Sequence, residues 1–128
     1  MTAKPSEIIA NIVATLRDKR IGVIVISENQ ARVEGILSER DIVRGLKGHG
    51  AALLDMAAKD LMTARVKTCA PSDTVSQIMA QMTEHRIRHL PVVVDGALCG
   101  LLSIGDIVKS RLGEIESEAG ALRGYVTG

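Results

Sequence analysis

Two short segments carry side chains suited to holding a phosphorylated sugar. In each, a glycine and two apolar residues precede a serine, and an aspartate follows three positions later: Ser38 with Asp41, and Ser103 with Asp106. Each segment lies where an apolar run passes into a helical pattern, and backbone N–H groups at a helix N-terminus suit a phosphate. The aspartate can accept two hydrogen bonds from a vicinal diol. The alternative interpretation is that the serine and aspartate only cap the helix.

A compact basic cluster lies between a predicted helix and the strand that follows it. It contains Arg86, Arg88 and His89, which can neutralise phosphates through charge-assisted hydrogen bonds. A solvated helix end whose cations offset the helix dipole is an equally good interpretation. In the first half of the chain Arg40 is the matching candidate, although its neighbour Glu39 also suits a surface ion pair. The second half has Gly105 at that position, so two sites built on these segments would differ.

Other chemistries find little support in the sequence. Cys69 and Cys99 are isolated thiols with no histidine at a fixed spacing, so we expect neither an active-site thiol nor a disulfide framework. The three histidines form no recognisable metal-binding pattern, and no P-loop is present. We therefore expect no metal and no catalysis, and the chain is not predicted to be an enzyme.

Composition restricts the class of protein further. The chain has 128 residues, enough for one domain or two very small repeats, and 46% of them are hydrophobic, which is enough for a core. The formal net charge is +1 with both signs interspersed, so no nucleic-acid footprint stands out. No apolar run is long enough to span a membrane, and no signal peptide is evident. A cytoplasmic protein is expected.

The chain repeats itself. Pro5-Ser6-Glu7 matches Pro71-Ser72-Asp73 at an offset of 66 residues (71 − 5), and the Arg-Ile pair at 20–21 matches that at 86–87. After one residue is lost in a turn, the offset becomes 65 (100 − 35), and the nine-residue run that begins at Gly35 matches the run that begins at Gly100. Such ordered matching with a single gap indicates a duplication.

Each copy predicts the same order of elements, β-α-β-β-α. Ser6 and Ser72 are predicted to begin the first helix, and residues 23–26 and 92–94 read as buried strands. Turns follow, Asp95-Gly96 being the stronger hairpin signal, and second strands are predicted at 33–37 and 98–102. Residues 62–68 predict an additional short strand before copy two, whereas copy one has only residues 1–4 there.

These patterns predict a domain organisation in four parts. The first repeat covers residues 1–50, a connector 51–61, the second repeat 62–112 and a helical extension 113–128. Apolar residues at 108, 112, 115, 119, 122 and 126 form a heptad-like seam in the last part.

In these motifs the sequence resembles the tandem cystathionine-β-synthase (CBS) domain pair, also called a Bateman module, of the small stand-alone bacterial type. The resemblance covers nearly the whole chain and rests on five pieces: Arg20-Ile21-Gly22, the Gly-Ile-Leu-Ser-Glu-Arg-Asp-Ile-Val run at 35–43, Asp60-Leu61-Met62-Thr63, His89-Leu90-Pro91-Val92-Val93, and the Gly-Leu-Leu-Ser-Ile-Gly-Asp run at 100–106. It implies an α/β (α+β) fold of two pseudo-symmetric β-α-β-β-α repeats packed sheet to sheet, with clefts between the repeats. It also implies a homodimer that binds AMP, ADP, ATP, NAD or S-adenosylmethionine and regulates a partner protein.

The resemblance assigns roles to particular positions. It implies that Asp106 and Asp41 hold a ribose beside Ser103 and Ser38. An adenine base would need an apolar slot, for which Val66, Leu90 and Pro91 are candidates with Thr63 and Thr68 as polar contacts; in copy one the candidates are Ile21, Gly22 and Val23. Plain core packing is the alternative for each of them. Copy two is expected to be the more complete site, centred on Asp106. The runner-up function is a ligand-free dimerisation scaffold, favoured by the heptad-like seam.

Overall fold

The computed structural model describes residues 2–110. The predicted extension at 113–128, and the seam beyond residue 108, lie outside the described residues.

The first repeat has the order β-α-β-β-α, and its leading strand corrects the expectation that the few residues before Pro5 are too short to form one. Its elements are β1 (Thr2–Ala3), α1 (Ile9–Lys19), β2 (Val23–Ile26), β3 (Gly35–Ser38) and α2 (Glu39–His49). The three strands form one sheet in the order β1-β2-β3, in which β1 runs parallel to β2 and β2 runs antiparallel to β3. A 3-10 helix (Gly50–Asp55) and the short helix α3 (Ala58–Leu61) follow as the connector.

The second repeat contains α4 (Val75–His85), β4 (His89–Val94), β5 (Ala97–Ser103) and a helix, α5, that begins at residue 104 and is described to residue 110. The strands β4 and β5 form an antiparallel pair. The strand predicted at 62–68 is wrong: there are only single bridges, from Thr63 to Ile36 and from Cys69 to Val92. The backbone N–H and C=O of Thr63 both bond to Ile36 of repeat one. The segment at 62–68 therefore has no neighbouring strand in the described part of repeat two with which to form a ladder.

The strand registers confirm the duplication. Val23 pairs with Ser38 in the first hairpin, and their equivalents His89 and Ser103 pair in the second. The first residue of each following helix also donates to an equivalent carbonyl, from Glu39 to Gly22 O at 2.9 Å and from Ile104 to Arg88 O at 2.7 Å. Each second helix is therefore fixed against the first strand of its own hairpin.

The turns and helix starts follow local hydrogen-bonding chemistry. Asp95 and Gly96 both have positive φ, as a tight hairpin turn requires. Helix α4 begins at Val75 and not at Ser72, because Thr74 and Gln77 cap it reciprocally at 3.1 and 2.8 Å. Helix α1 begins at Ile9 and not at Ser6, and it has no side-chain cap. Both serine-based predictions of a helix start are wrong.

Each repeat has its own hydrophobic core. The larger cluster belongs to repeat one and the connector: Ile9, Ile12, Leu16, Ile24, Ile26, Leu37, Ile42, Leu53 and Ala58. The smaller cluster belongs to repeat two: Cys69, Ile78, Met82, Leu90 and Ile107. No helix within residues 2–110 is both long enough and apolar enough to cross a membrane.

Candidate functional site

The two serine–aspartate pairs cap helices α2 and α5 with the same geometry. Asp106 Oδ2 accepts hydrogen bonds from Ser103 N at 3.0 Å and Ser103 Oγ at 2.9 Å, and Asp106 N donates back to Ser103 Oγ at 3.1 Å. The corresponding distances for Ser38 and Asp41 are 2.9, 3.1 and 3.2 Å. The capping interpretation is therefore confirmed for both pairs. Within residues 2–110, neither aspartate Oδ1 has a hydrogen-bond partner, so capping leaves one carboxylate oxygen of each pair available.

The carboxylate of Asp106 is strongly held in its ionised form. Hydrogen bonds from the Ser103 backbone and hydroxyl lower the pKa of Asp106, and the nearby cation Lys109 lowers it further. The side chain is exposed at the start of α5. At neutral pH it therefore offers a carboxylate acceptor beside a helix N-terminus.

A cleft of about 450 Å³, which we call the central cleft, opens where the two repeats meet. It is lined by Arg20, Ile21, Gly22, Val23, His89, Leu101 and Ser103. Val23 and His89 occupy equivalent positions in the two repeats, so the central cleft lies near their pseudo-twofold axis. It brings three residues predicted from repeat one together with two predicted from repeat two.

A second cleft of about 440 Å³, the outer cleft, continues from the first. It is lined by Thr2, Val25, Gln30, Leu98, Cys99, Gly100 and Leu101. Leu101 of β5 belongs to both linings, so the two clefts adjoin there, and residues of β1 and β2 also line them. We call the two clefts together the groove. Volumes of this size are typical of small-molecule sites.

Arg20 enters the central cleft from an unusual backbone conformation. It is the C-cap residue of α1 with φ 55°, and its equivalent Arg86 caps α4 with φ 53°. Glycine is the usual residue at a left-handed helix end, because other L-residues lose about 1–2 kcal/mol there. Arg20 lines the central cleft, whereas Arg86, in the same conformation, lies outside it.

His89 lies half-buried in the central cleft. Burial lowers the pKa of its imidazole, the carboxylate of Asp106 partly offsets that effect, and the charge of Arg88 adds to it. Because the ordinary value is already below 7, His89 is mainly neutral at neutral pH.

The structure places predicted site residues from different repeats in the same cleft. The sequence grouped Ser103 with residues 63–68, but Ser103 shares the central cleft with Ile21, Gly22 and Val23. Thr63 instead bonds Ile36 of repeat one in both directions, at 2.9 and 3.0 Å. Repeat two's leading segment crosses to β3 of repeat one, so Thr63 is not in the lining of the central cleft, and its role as a ligand contact stays a prediction.

Two of the predicted base contacts are interior residues. Leu90 is fully buried in the core of repeat two, and Pro91 is buried beside it in β4, so neither offers a surface to a base. Val66 is half-buried and Thr68 exposed; the carbonyl of Thr68 accepts a 3.4 Å hydrogen bond from the amide of Gln81. Neither lines the groove.

The remaining predicted cations lie outside both linings. Arg40, Arg86 and Arg88 are exposed. Within the described part of the chain Arg40 forms no ion pair, so the surface pair with Glu39 is not made.

Several lining residues were not predicted from the sequence. They are Arg20 and the whole lining of the outer cleft: Thr2, Val25, Gln30, Leu98, Cys99, Gly100 and Leu101. Two signals could have identified some of them. Arg20 matches the predicted Arg86 in the duplication, and Leu101 lies two residues before Ser103, on the same face of its strand.

The described residues hold no cluster of three or more metal-ligating side chains. The two thiols differ sharply in environment. Cys69 is buried, and burial raises its pKa, whereas Cys99 is exposed in the outer cleft with its Sγ 3.4 Å from the carbonyl of Val92.

Comparison with known proteins gives consistent matches. The family model of the CBS domain matches residues 1–48 and 58–113. A mitochondrial CBS domain-containing protein of Arabidopsis thaliana is 32% identical over 120 residues, which are 91% of this chain and 58% of that protein, so the chain spans little more than half of that relative. The crystal structure of a CBS-domain containing protein from Agrobacterium tumefaciens superposes with a TM-score of 0.82 at 40% identity, covering 87% of this chain and 83% of that one. A CBS domain protein from Pyrobaculum aerophilum, complexed with AMP, has a TM-score of 0.74 at 30% identity and covers 83% and 81%.

Proposed function

Because the chain belongs to the CBS-domain family, we propose that it is a regulatory module that binds an adenine nucleotide in the groove between its two repeats. One observation carries the proposal: Ser103 lines the central cleft together with Arg20, and its cap partner Asp106, which lies just outside the lining, keeps one carboxylate oxygen without a partner in the described residues. The two adjoining clefts also have volumes suited to a nucleotide. The target of regulation would be another polypeptide.

The ribose is assigned to Asp106. Its Oδ2 is occupied by the cap, but Oδ1 has no partner within the described residues and can accept from a sugar hydroxyl. The lowered pKa keeps this acceptor ionised at any physiological pH, and hydrogen bonds to ionised groups contribute about 1.5–3 kcal/mol.

The phosphate is assigned to the central cleft, where Arg20 is the permanent cation. A guanidinium can bind a phosphate through two parallel hydrogen bonds.

The base is assigned to the outer cleft. Leu98 and Leu101 provide its apolar surface, since Val25 is only 1% exposed, and Thr2 and Gln30 provide polar atoms. The outer cleft therefore offers polar and apolar surface together.

AMP is the ligand we propose first. The Pyrobaculum aerophilum relative is complexed with AMP, and this groove has one arginine in its lining, which suits a single phosphate. ADP, ATP, NAD and S-adenosylmethionine are the competitors to be titrated beside it.

The test is calorimetric titration of the purified chain with AMP and each competitor. Asp106→Asn is the sharpest variant, because its amide oxygen can still accept from Ser103 while its NH₂ group cannot accept from a ribose. We expect AMP affinity to fall about 10- to 100-fold with the fold intact. No heat and no thermal shift with any of the ligands at millimolar concentration would refute the proposal.

A matched pair of variants tests the phosphate assignment. Arg20→Gly and Arg86→Gly relieve the same left-handed strain, so both should be neutral or stabilising by up to about 1 kcal/mol. Arg20→Gly should in addition weaken AMP about tenfold or more while leaving adenosine unaffected. Equal weakening of AMP and adenosine would show that Arg20 does not contact the phosphate.

A homodimer is the second part of the proposal. Val43 on α2 is 65% exposed and its equivalent Val108 on α5 is 44% exposed, so the duplication repeats an apolar position on both helices. A second copy of the chain would cover this face. Sedimentation of a Val43→Glu/Val108→Glu variant should give a monomer; an unchanged dimer would place the interface elsewhere.

A further inference from the structure

We propose that His89 takes up a proton when a phosphate-bearing ligand enters the central cleft, so that ligand affinity rises as pH falls. This inference rests on the proposed function, since it assigns a regulatory input to the same site. It makes the module respond to proton concentration as well as to nucleotide.

The position of His89 carries the inference. It lines the central cleft together with Arg20, and it pairs in register with Ser103, which begins the cap of α5. No hydrogen bond from its side chain is made within residues 2–110, so both ring nitrogens remain available to a ligand. In repeat one the equivalent residue is Val23, so this titratable group is present only once in the cleft.

Charged groups near His89 lie on several elements. Arg88 comes directly before β4, Asp106 lies on α5, and Arg20 lines the same cleft from the end of α1. Glu39 on α2 has its Oε2 4.0 Å from where a Cβ on Gly22, another lining residue, would lie. Asp106 raises the pKa of the imidazole and Arg88 lowers it, but burial is the largest influence and lowers it.

The direction of the linkage between proton uptake and ligand binding follows from these influences on the imidazole. In the empty cleft His89 is mainly neutral at neutral pH. A phosphate beside it favours the imidazolium, since an opposite charge within about 4–6 Å stabilises the charged form. The complex therefore binds more protons than the free protein, and binding strengthens as pH falls until the phosphate itself protonates near about pH 6. The lowered pKa of Asp106 keeps the ribose contact constant over this interval.

Two measurements test the proposal. Calorimetry of AMP in two buffers of equal pH but different ionisation heat counts the protons taken up, and NMR titration of the histidine ring protons identifies the residue. We expect AMP affinity to rise about three- to tenfold from about pH 8 to about pH 6, and this rise to vanish in His89→Gln. Adenosine, which lacks the phosphate, is the matched ligand and should cause no uptake.

The outcomes separate this inference from the proposed function. If AMP binds without proton uptake, or if His89→Gln keeps the pH dependence, the proton linkage is wrong and nucleotide binding stands. If AMP does not bind, the proposed function fails, and titration with inorganic phosphate decides the linkage: an increase in the His89 pKa supports it, and an unchanged value overturns it. The NMR measurement uses the wild-type chain, so it does not depend on the folding of the variant.

Discussion

Equivalent glycines in β3 and β5 offer a test of how the two halves of the fold differ. A Cβ on Gly35 would lie 2.8 Å from Cγ of Met62, against its Sδ, and 3.1 Å from the carbonyl oxygen of Thr63. A Cβ on Gly100 would meet no atom within 4 Å. Gly35→Ala and Gly100→Ala are therefore the same chemical change in an occupied and an open environment.

The expected magnitudes follow from these contacts. Replacing glycine by alanine in a strand raises the free energy of unfolding by about 0.5–1 kcal/mol, because the unfolded chain has less conformational freedom to lose. Gly100→Ala should show this gain in stability. At Gly35 the thioether of Met62 can move aside, but the Thr63 carbonyl is fixed by its bonds to Ile36, and overpacking costs about 1–3 kcal/mol. The two variants should differ by about 1–3 kcal/mol, or roughly 3–5 °C in Tm for each kcal/mol.

Urea denaturation followed by circular dichroism measures the difference, and nucleotide titration extends it to function. Gly100→Val adds a branched side chain at a lining position with open space around its Cβ, so its stability should be at or above that of wild type while AMP affinity falls about tenfold or more. Equal stabilities of the two alanine variants would refute the packing argument at Met62. Unchanged AMP affinity of Gly100→Val would exclude the outer cleft as the base site.

Further predictions concern α2 and the two thiols. A Cβ on Gly45 would lie 2.8 Å from leucine methyl groups of the connector, whereas one on Gly48 in the same helix would meet nothing. Gly45→Ala should therefore lose about 1–3 kcal/mol of unfolding free energy and Gly48→Ala should gain about 0.5–1 kcal/mol, as measured by urea denaturation. Iodoacetamide should modify exposed Cys99 and spare buried Cys69 in the native chain, and bound AMP should slow the reaction at Cys99. Mass spectrometry of the labelled peptides measures both effects. Equal labelling of the two thiols would contradict the burial argument.

The parts of the fold that the sequence predicted well depend on local chemistry. The caps of α2 and α5 join side chains only three positions apart, so Ser38 and Ser103 could be placed without knowledge of the tertiary structure. The Asp95-Gly96 turn is equally local, because its two residues tolerate the positive φ that a tight hairpin needs. Because the chain is duplicated, the cap predicted in one repeat could also be predicted at the equivalent position of the other.

The composition of the groove could not be predicted in the same way. Order along the chain places Thr63 with Ser103, but the segment at Thr63 crosses to pair with Ile36, and Ser103 meets Gly22 and Val23 of the other repeat. Which repeat supplies each wall depends on packing between distant strands. The strand predicted at 62–68 failed for the same reason, since a strand requires a ladder partner as well as a suitable composition.

The two separate cores bear on how cooperatively the chain unfolds. The described part of repeat two buries five residues in its cluster and repeat one with the connector buries nine, so heat should loosen repeat two first. A ligand in the groove touches both halves, and its binding free energy is lost when either half opens. We therefore expect two overlapping calorimetric transitions in the free chain to merge into a single one at saturating nucleotide. The groove would then join two folding units into one, and the width of the melting transition would report its occupancy.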